Sequence, residues 1–260
     1  MVQIGSLLFL LLAPMAMGGM LLVAMAGRGN RESLSVPILA VFLLAGLAVS
    51  LFSLQTAPAH RGLILGLYLG ALAGSFLASL LYLRGSSPKI FRGLLLVGGA
   101  LGFIALVLQA IEMPRAHSVN LSGGRLALDG GLSAVLLGGL LVAGLLGWTG
   151  LDRSPLFKTA ATWILTPAAI KAGLSGRYLW ELVRLDLFPG GVPSFEGVDL
   201  LFWIREGSLL GLLIGAAMIW YSATWRSARL PAPVLGWTLL AGLLVELFGR
   251  LLLIQRGLLL

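Results

Sequence analysis

The sequence predicts an all-α, polytopic membrane protein, a single domain over residues 1–260 built as a bundle of eight transmembrane helices with both termini outside. Three observations carry that prediction. Of the 260 residues, 58% are hydrophobic and only 11% charged, against about 25% charged in a typical soluble domain. Apolar runs close to the roughly 20 residues that cross a hydrocarbon core recur along the whole chain. Prolines and glycines mark nearly every junction between those runs.

The spans follow in order. The first is read over 5–26 and the second over 35–54, joined by GRGNRES with Arg28 and Arg31. The first basic residue, Arg28, follows the first apolar run, whereas a secretory signal has basic residues ahead of its apolar core. That run is therefore expected to be a spanning helix. The third span is placed at 62–83, after TAPAHR, and the fourth at 92–112, after RGSSPK. A longer polar loop, EMPRAHSVNLSGGRLALDG, leads to the fifth at 131–149. LDRSP precedes the sixth, which starts near 156 and can run past 180. The mixed stretch RLDLFPGGVPSFEGVDLLFWIRE leads to the seventh at 207–225, and RSARLPAP to the eighth at 233–254.

Loop charges give the orientation. One set of loops holds Arg28, Arg31, Arg84, Lys89, Arg92, Arg153, Lys158, Arg226 and Arg229; the opposite set and the C-terminus hold Arg61, Arg115, Arg125, Arg184, Arg205 and Arg256. Cytoplasmic loops are the richer in Lys and Arg, so the first set is expected inside. The net charge of +8 is read as this topology signal. Its basic residues are scattered over short loops and form no phosphate-binding face, so no nucleic-acid partner is expected.

Composition also bounds the chemistry. The chain has no cysteine, which excludes a protein-held iron–sulfur cluster, a disulfide and a thiol nucleophile. The two histidines, His60 and His117, fall in predicted loops, which argues against a haem ligated from spanning helices and against zinc. No metal site is expected, and no residue is assigned a catalytic role.

Within the spans, Gly62, Gly66, Gly70 and Gly74 form a ladder at spacing four on one face of the third. Small residues there let a second helix approach closely; packing inside this subunit is the leading expectation and a dimer face the alternative. Glu246 and Arg250 stand four apart in the eighth span, a spacing that allows an ion pair, and pairing lowers the cost of charge in the bilayer. Trp163, Trp220 and Trp225 are expected near the headgroups. On the derived topology the loops after the second and fourth spans open outside. They carry Gln55, His60 and Arg61, and Glu112, Arg115 and His117. A quinol site needs hydrogen-bond partners for two ring oxygens and a group that accepts protons near neutrality, for which histidine is suited.

Four segments together resemble a known family. SLLFLLLAPMAMGGMLLVAMAGRG, SLFSLQTAPAHRG, QAIEMPRAHSVN and VELFGRLLLIQ are similar, in order and spacing, to segments of the membrane-anchor subunit of dimethyl sulfoxide reductase-type molybdoenzymes, the DmsC type within the broader NrfD-like anchors. The last segment, with Glu246, Gly249 and Arg250, is the most specific local match. The resemblance implies eight helices, an outer N-terminus and a quinone site near the outer face. It implies a four-cluster ferredoxin-like iron–sulfur subunit and a molybdopterin catalytic subunit docked outside, and the cytoplasmic (inner) membrane of a bacterium or archaeon. Electrons would pass from menaquinol or ubiquinol to the clusters, or in reverse. The anchor would hold no metal, haem or cluster of its own.

The sequence departs from the family at two places. The family histidine falls on Ser53 or Leu54, and a family glutamate falls near Gly74–Phe76, where there is no acid. Ser53, Gln55, His60, Arg61, Glu112 and His117 are therefore the candidate quinone-binding set. Either His60 with Glu112 or His117 replaces the missing pair, or quinone binds differently or not at all. A purely structural anchor and a small secondary transporter, with Pro167 and Lys171 as a helix break, are the competing expectations.

Overall fold

The computed structural model describes residues 4–26, 61–84, 87–117, 123–152, 154–184, 200–225 and 232–256. The described residues form seven helices and no strand: α1 (Ile4–Ala26), α2 (Arg61–Leu83), α3 (Pro88–His117), α4 (Gly123–Trp148), α5 (Pro155–Arg184), α6 (Leu200–Thr224) and α7 (Ala232–Arg256). In hydrocarbon each backbone N–H and C=O must be satisfied within the chain, and a helix does this locally. Five of these helices (α2, α3, α4, α6 and α7) are long and apolar enough to cross a membrane, as in a multi-pass membrane protein. The predicted second span, 35–54, lies outside the described residues.

Local chemistry sets the tightest junction. Gly150 closes α4 with φ 72°. The Leu151 N–H donates to Leu146 O at 2.8 Å, and the Gly150 N–H to Gly147 O at 3.3 Å, the paired bonds of a glycine-terminated helix. Four residues on, Ser154 Oγ accepts from the Phe157 N–H at 3.1 Å, and Pro155, with no N–H to leave unmet, opens α5.

Helices α4, α5, α6 and α7 pack in sequence and close on each other, α7 returning to α4. This makes an up-down four-helix bundle. Helices α1 and α3 pack on the other side of α4, and α2 packs on α3. The span of α4 is accordingly 67% buried, more than that of any other apolar span described. Helices α1 and α4 touch backbone to backbone: a Cβ on Gly18 would lie 1.8 Å from Ala134 O, and one on Gly138 would lie 2.3 Å from Gly18 C. Gly99 faces Leu21 and Gly102 faces Met17, so α1 runs antiparallel to α3. Gly70 meets Leu101 and Gly74 meets Gly98, so α2 does too. One end of the molecule therefore gathers the starts of α1, α2, α4 and α6 and the finishes of α3, α5 and α7. Ala26 and Arg61 stand at opposite ends.

The glycine ladder is used in its second half. Gly70 and Gly74 sit against α3, while nothing lies within 4 Å of a Cβ on Gly62 or Gly66. Three boundaries also differ from the expected ones. Helix α4 starts at 123 rather than 131, α6 at 200 rather than 207, and α3 extends over 88–117 rather than 92–112. The added turns carry charge, which hydropathy reads as loop. Asp129 in them is met by bases on two other helices, and Arg205 by neighbouring Glu206 and by Ser175 on α5, as follows.

A buried ion cluster at one end of the four-helix bundle

Six ionised side chains enter the end of the α4–α7 bundle: Asp129 on α4, Lys171 on α5, Arg205 and Glu206 on α6, and Glu246 and Arg250 on α7. Three are acids and three are bases, so the cluster is neutral. Lys171 is the hub. Its ammonium lies 2.7 Å from Asp129 Oδ1 and 2.8 Å from Glu246 Oε1, and donates to Ser133 Oγ at 3.1 Å. Two of these are hydrogen bonds; Glu246 Oε1 lies in ion-pair range but accepts no hydrogen bond among the described residues. Ser133 in turn donates to Glu246 Oε2 at 2.7 Å and accepts from Arg250 Nη2 at 3.2 Å. Arg250 also reaches Asp129 Oδ2 at 3.3 Å and Glu246 Oε2 at 3.9 Å.

A second group adjoins the first. Arg205 Nη1 donates to Ser175 Oγ at 2.9 Å and to Glu206 Oε1, and Ser175 Oγ donates to Glu206 Oε1 at 2.6 Å. Ser175 stands one turn beyond Lys171 on α5. Arg205 is 2% exposed. Gly249 lies beside it: a Cβ there would meet Arg205 Nε at 3.5 Å, an ordinary van der Waals contact. In the Glu246-x-x-Gly249-Arg250 segment, then, two residues supply charge and the third borders the Arg205 guanidinium.

Each ion removed from water costs several kcal/mol unless it is paired and hydrogen-bonded. The geometry meets that demand unevenly across the cluster. The Glu246 side chain is 2% exposed and that of Lys171 4%, whereas Asp129 is 16% and Glu206 14% exposed. Asp129 and Glu206 are thus the two more open carboxylates, at the rim, and Glu246 is the closed one, at the hub beside Lys171. Asp129 lies in the second turn of α4 and Arg205 in the second turn of α6, so the cluster belongs to the end where those helices begin.

The predicted site residues fall into three groups. Ser53, Gln55 and His60 lie outside the described residues. The backbone puts Arg61 at the first position of α2 and Glu112 and His117 in the last two turns of α3, all at the charged end. Glu246 and Arg250 do share a face, but their 3.9 Å contact is the weakest in the cluster; each has closer partners on α4 or α5. Pro167 lies inside α5, which continues unbroken from Pro155 to Arg184, so no helix break stands beside Lys171.

Sequence reading missed Asp129, Lys171 and Arg205 as a set. Asp129 and Arg205 were expected in loops, the latter counted among the outer charges. The available signal was Lys171 itself: a lone ammonium at the middle of a predicted span requires a buried carboxylate. Of the tryptophans, Trp220 and Trp225 are exposed near the far end of α6, joined there by exposed Trp148 and Trp237. These rings mark the end away from the cluster. Trp163 instead packs partly buried against the core, beside Gly139. Comparison with family models, curated proteins and solved structures finds no match for this chain.

Proposed function

We propose that this chain is the membrane-anchor subunit of a quinol-linked oxidoreductase complex in the cytoplasmic membrane of a bacterium or archaeon. It exchanges electrons between quinol or quinone and a docked four-cluster iron–sulfur subunit, which serves a molybdopterin catalytic subunit. The observation that carries the reading is the buried ion cluster built on Glu246, Gly249 and Arg250, the segment through which the sequence most closely resembles that family. Quinol oxidation frees two protons, and Asp129 and Glu206 offer carboxylates at the rim of the charged end. Arg61, Glu112 and His117 are carried on helix ends at the same level. When bound, the quinone supplies the two-electron chemistry; the chain's own groups hydrogen-bond it and take its protons.

The eight-span topology belongs to the same proposal. It joins the seven described helices to the predicted span at 35–54, an apolar run of suitable length; in support, Ala26 and Arg61 stand at opposite ends of the bundle. With the charged end outside, the loops richer in Arg and Lys lie in the cytoplasm, both termini lie outside, and the partners dock beside the cluster.

One observation favours a second reading, an anchor without quinone chemistry: three acids and three bases satisfy one another without a ligand. The two readings separate by experiment. The subunit should co-purify with an iron–sulfur protein, and Glu246→Gln should slow quinol-driven reduction of that partner by at least about 100-fold, the scale of a lost general acid–base group. Co-purification with unchanged turnover selects the structural anchor. Isolation of the subunit alone, moving a solute across vesicles, rejects both.

A further inference from the structure

We infer that Lys171 is a proton relay between two carboxylates, one open to the rim and one sealed, and that Asp129 is the port of that relay. The geometry is specific. Lys171 Nζ is 2.7 Å from Asp129 Oδ1 and 2.8 Å from Glu246 Oε1. The first is a short charge-assisted hydrogen bond. The second is an ion-pair contact in which Glu246 Oε1 accepts no hydrogen bond among the described residues, so a rotation of the ammonium is what brings an N–H onto it. The two contacts lead to different helices. The Asp129 side chain is 16% exposed and the Glu246 side chain 2%, so water reaches one acid and not the other. A proton that arrives on Glu246 has no direct way out. Through Lys171 it has one.

The step balances in atoms and charge. Protonated Glu246 and the ammonium of Lys171 exchange roles with Asp129: the ammonium gives one proton to Asp129 Oδ1, and the resulting amine takes the proton from Glu246 Oε1. One N–H and one O–H bond break, one O–H and one N–H bond form, and a single proton has moved from the hub carboxylate to the rim carboxylate. The reverse order carries a proton inward. No electron moves and no further reactant is needed. Ser133 holds the Glu246 carboxylate in place through its 2.7 Å bond to Oε2, which leaves Oε1 to the relay. Among the described residues, the other charges of the cluster are Arg250 from α7, against Asp129, and Arg205 with Glu206 from α6. The guanidinium groups of Arg250 and Arg205 do not give up protons, so Lys171 is the one base of the cluster able to conduct.

As an exit for quinol protons this rests on the function proposed above, but it is testable without quinone or partner. The full chain in lipid nanodiscs is followed by infrared spectroscopy of its carboxyl groups after a pH jump, in light and in heavy water. In the wild type, acidification should produce a protonated-carboxyl signal that Asp129→Asn and Glu246→Gln each diminish. The deciding variant is Lys171→Arg, which keeps the charge and the donors but cannot be deprotonated. It should slow hydrogen–deuterium exchange at Glu246 by about 100-fold, whereas a purely structural role of Lys171 would survive the change. Exchange at the wild-type rate in Lys171→Arg overturns the relay. Should that variant not fold, the same exchange in Asp129→Asn decides: wild-type exchange at Glu246 overturns it, and strong slowing upholds it. A wild type with no protonated carboxyl at any pH also overturns it. A working relay with no quinol-driven reduction would reject the anchor reading and leave the relay standing.

Discussion

At Lys171 a single side chain holds two carboxylates that would otherwise repel each other. Removing one partner from a buried ion pair typically costs about 3–5 kcal/mol, because the remaining charge is left unmet. Lys171→Met is therefore expected to destabilise the bundle by about that amount in a denaturation series in detergent. The double variant Lys171→Met with Glu246→Leu removes one charge of each sign and leaves Asp129 paired with Arg250. It should recover much of the loss, and the coupling between the two sites in a double-mutant cycle measures the recovery. A double variant as unstable as the sum of the singles would show that Glu246 is held by other contacts. At this scale the sequence was only half legible. Glu246 and Arg250 are visible as a pair because they share a helix face at spacing four. Asp129 is not, because its partners are remote in the chain, and neither is Arg205, because a charged pair such as Arg205–Glu206 near the start of an apolar run looks like a loop.

Among the helices, close approach is confined to particular glycines. The α1–α4 crossing has no space at Gly18 or Gly138, where an added Cβ would lie within bonding range of backbone atoms. Gly138→Ala should therefore cost at least about 1–3 kcal/mol, the usual penalty of overpacking, or prevent the two helices from meeting. Gly66→Ala, at an open position, should change thermal stability by no more than about 0.5 kcal/mol. Ser154→Ala removes the cap of α5 and should cost about 1 kcal/mol. The sequence ladder at Gly62–Gly74 predicted a close-packed face, yet the tightest contact lies at Gly18 and Gly138, where no four-residue repeat announces it. A small residue reports that approach is permitted; which neighbour comes near depends on how helices far apart in sequence are arranged. The all-helical class and the order of the seven described helices, by contrast, could be read from apolar length alone, with errors of up to eight residues at the starts that carry charge.

For the molecule as a whole, the two ends differ in kind. One end holds the ion cluster; the other presents exposed Trp148, Trp225 and Trp237, amphipathic rings suited to the headgroup layer. The orientation proposed for them is open to direct test, since the chain has no cysteine of its own. Single cysteines at Ser87 or Thr149 should react with an impermeant thiol reagent only from the cytoplasmic side of the membrane. Those at Gly124 or Leu200 should react only from the outside. The opposite pattern would invert the bundle and place the cluster, and any docked partner, in the cytoplasm.

The charges of the cluster are shared among four helices, and its last two members, Glu246 and Arg250, arrive on the final one. Until that helix has left the ribosome and joined the others, Lys171 and Asp129 are deprived of their remaining counter-charges in the middle of a newly inserted chain. Closure of the cluster therefore waits on the helix that carries Glu246 and Arg250, and a chain stopped before it leaves part of that ionic demand unmet.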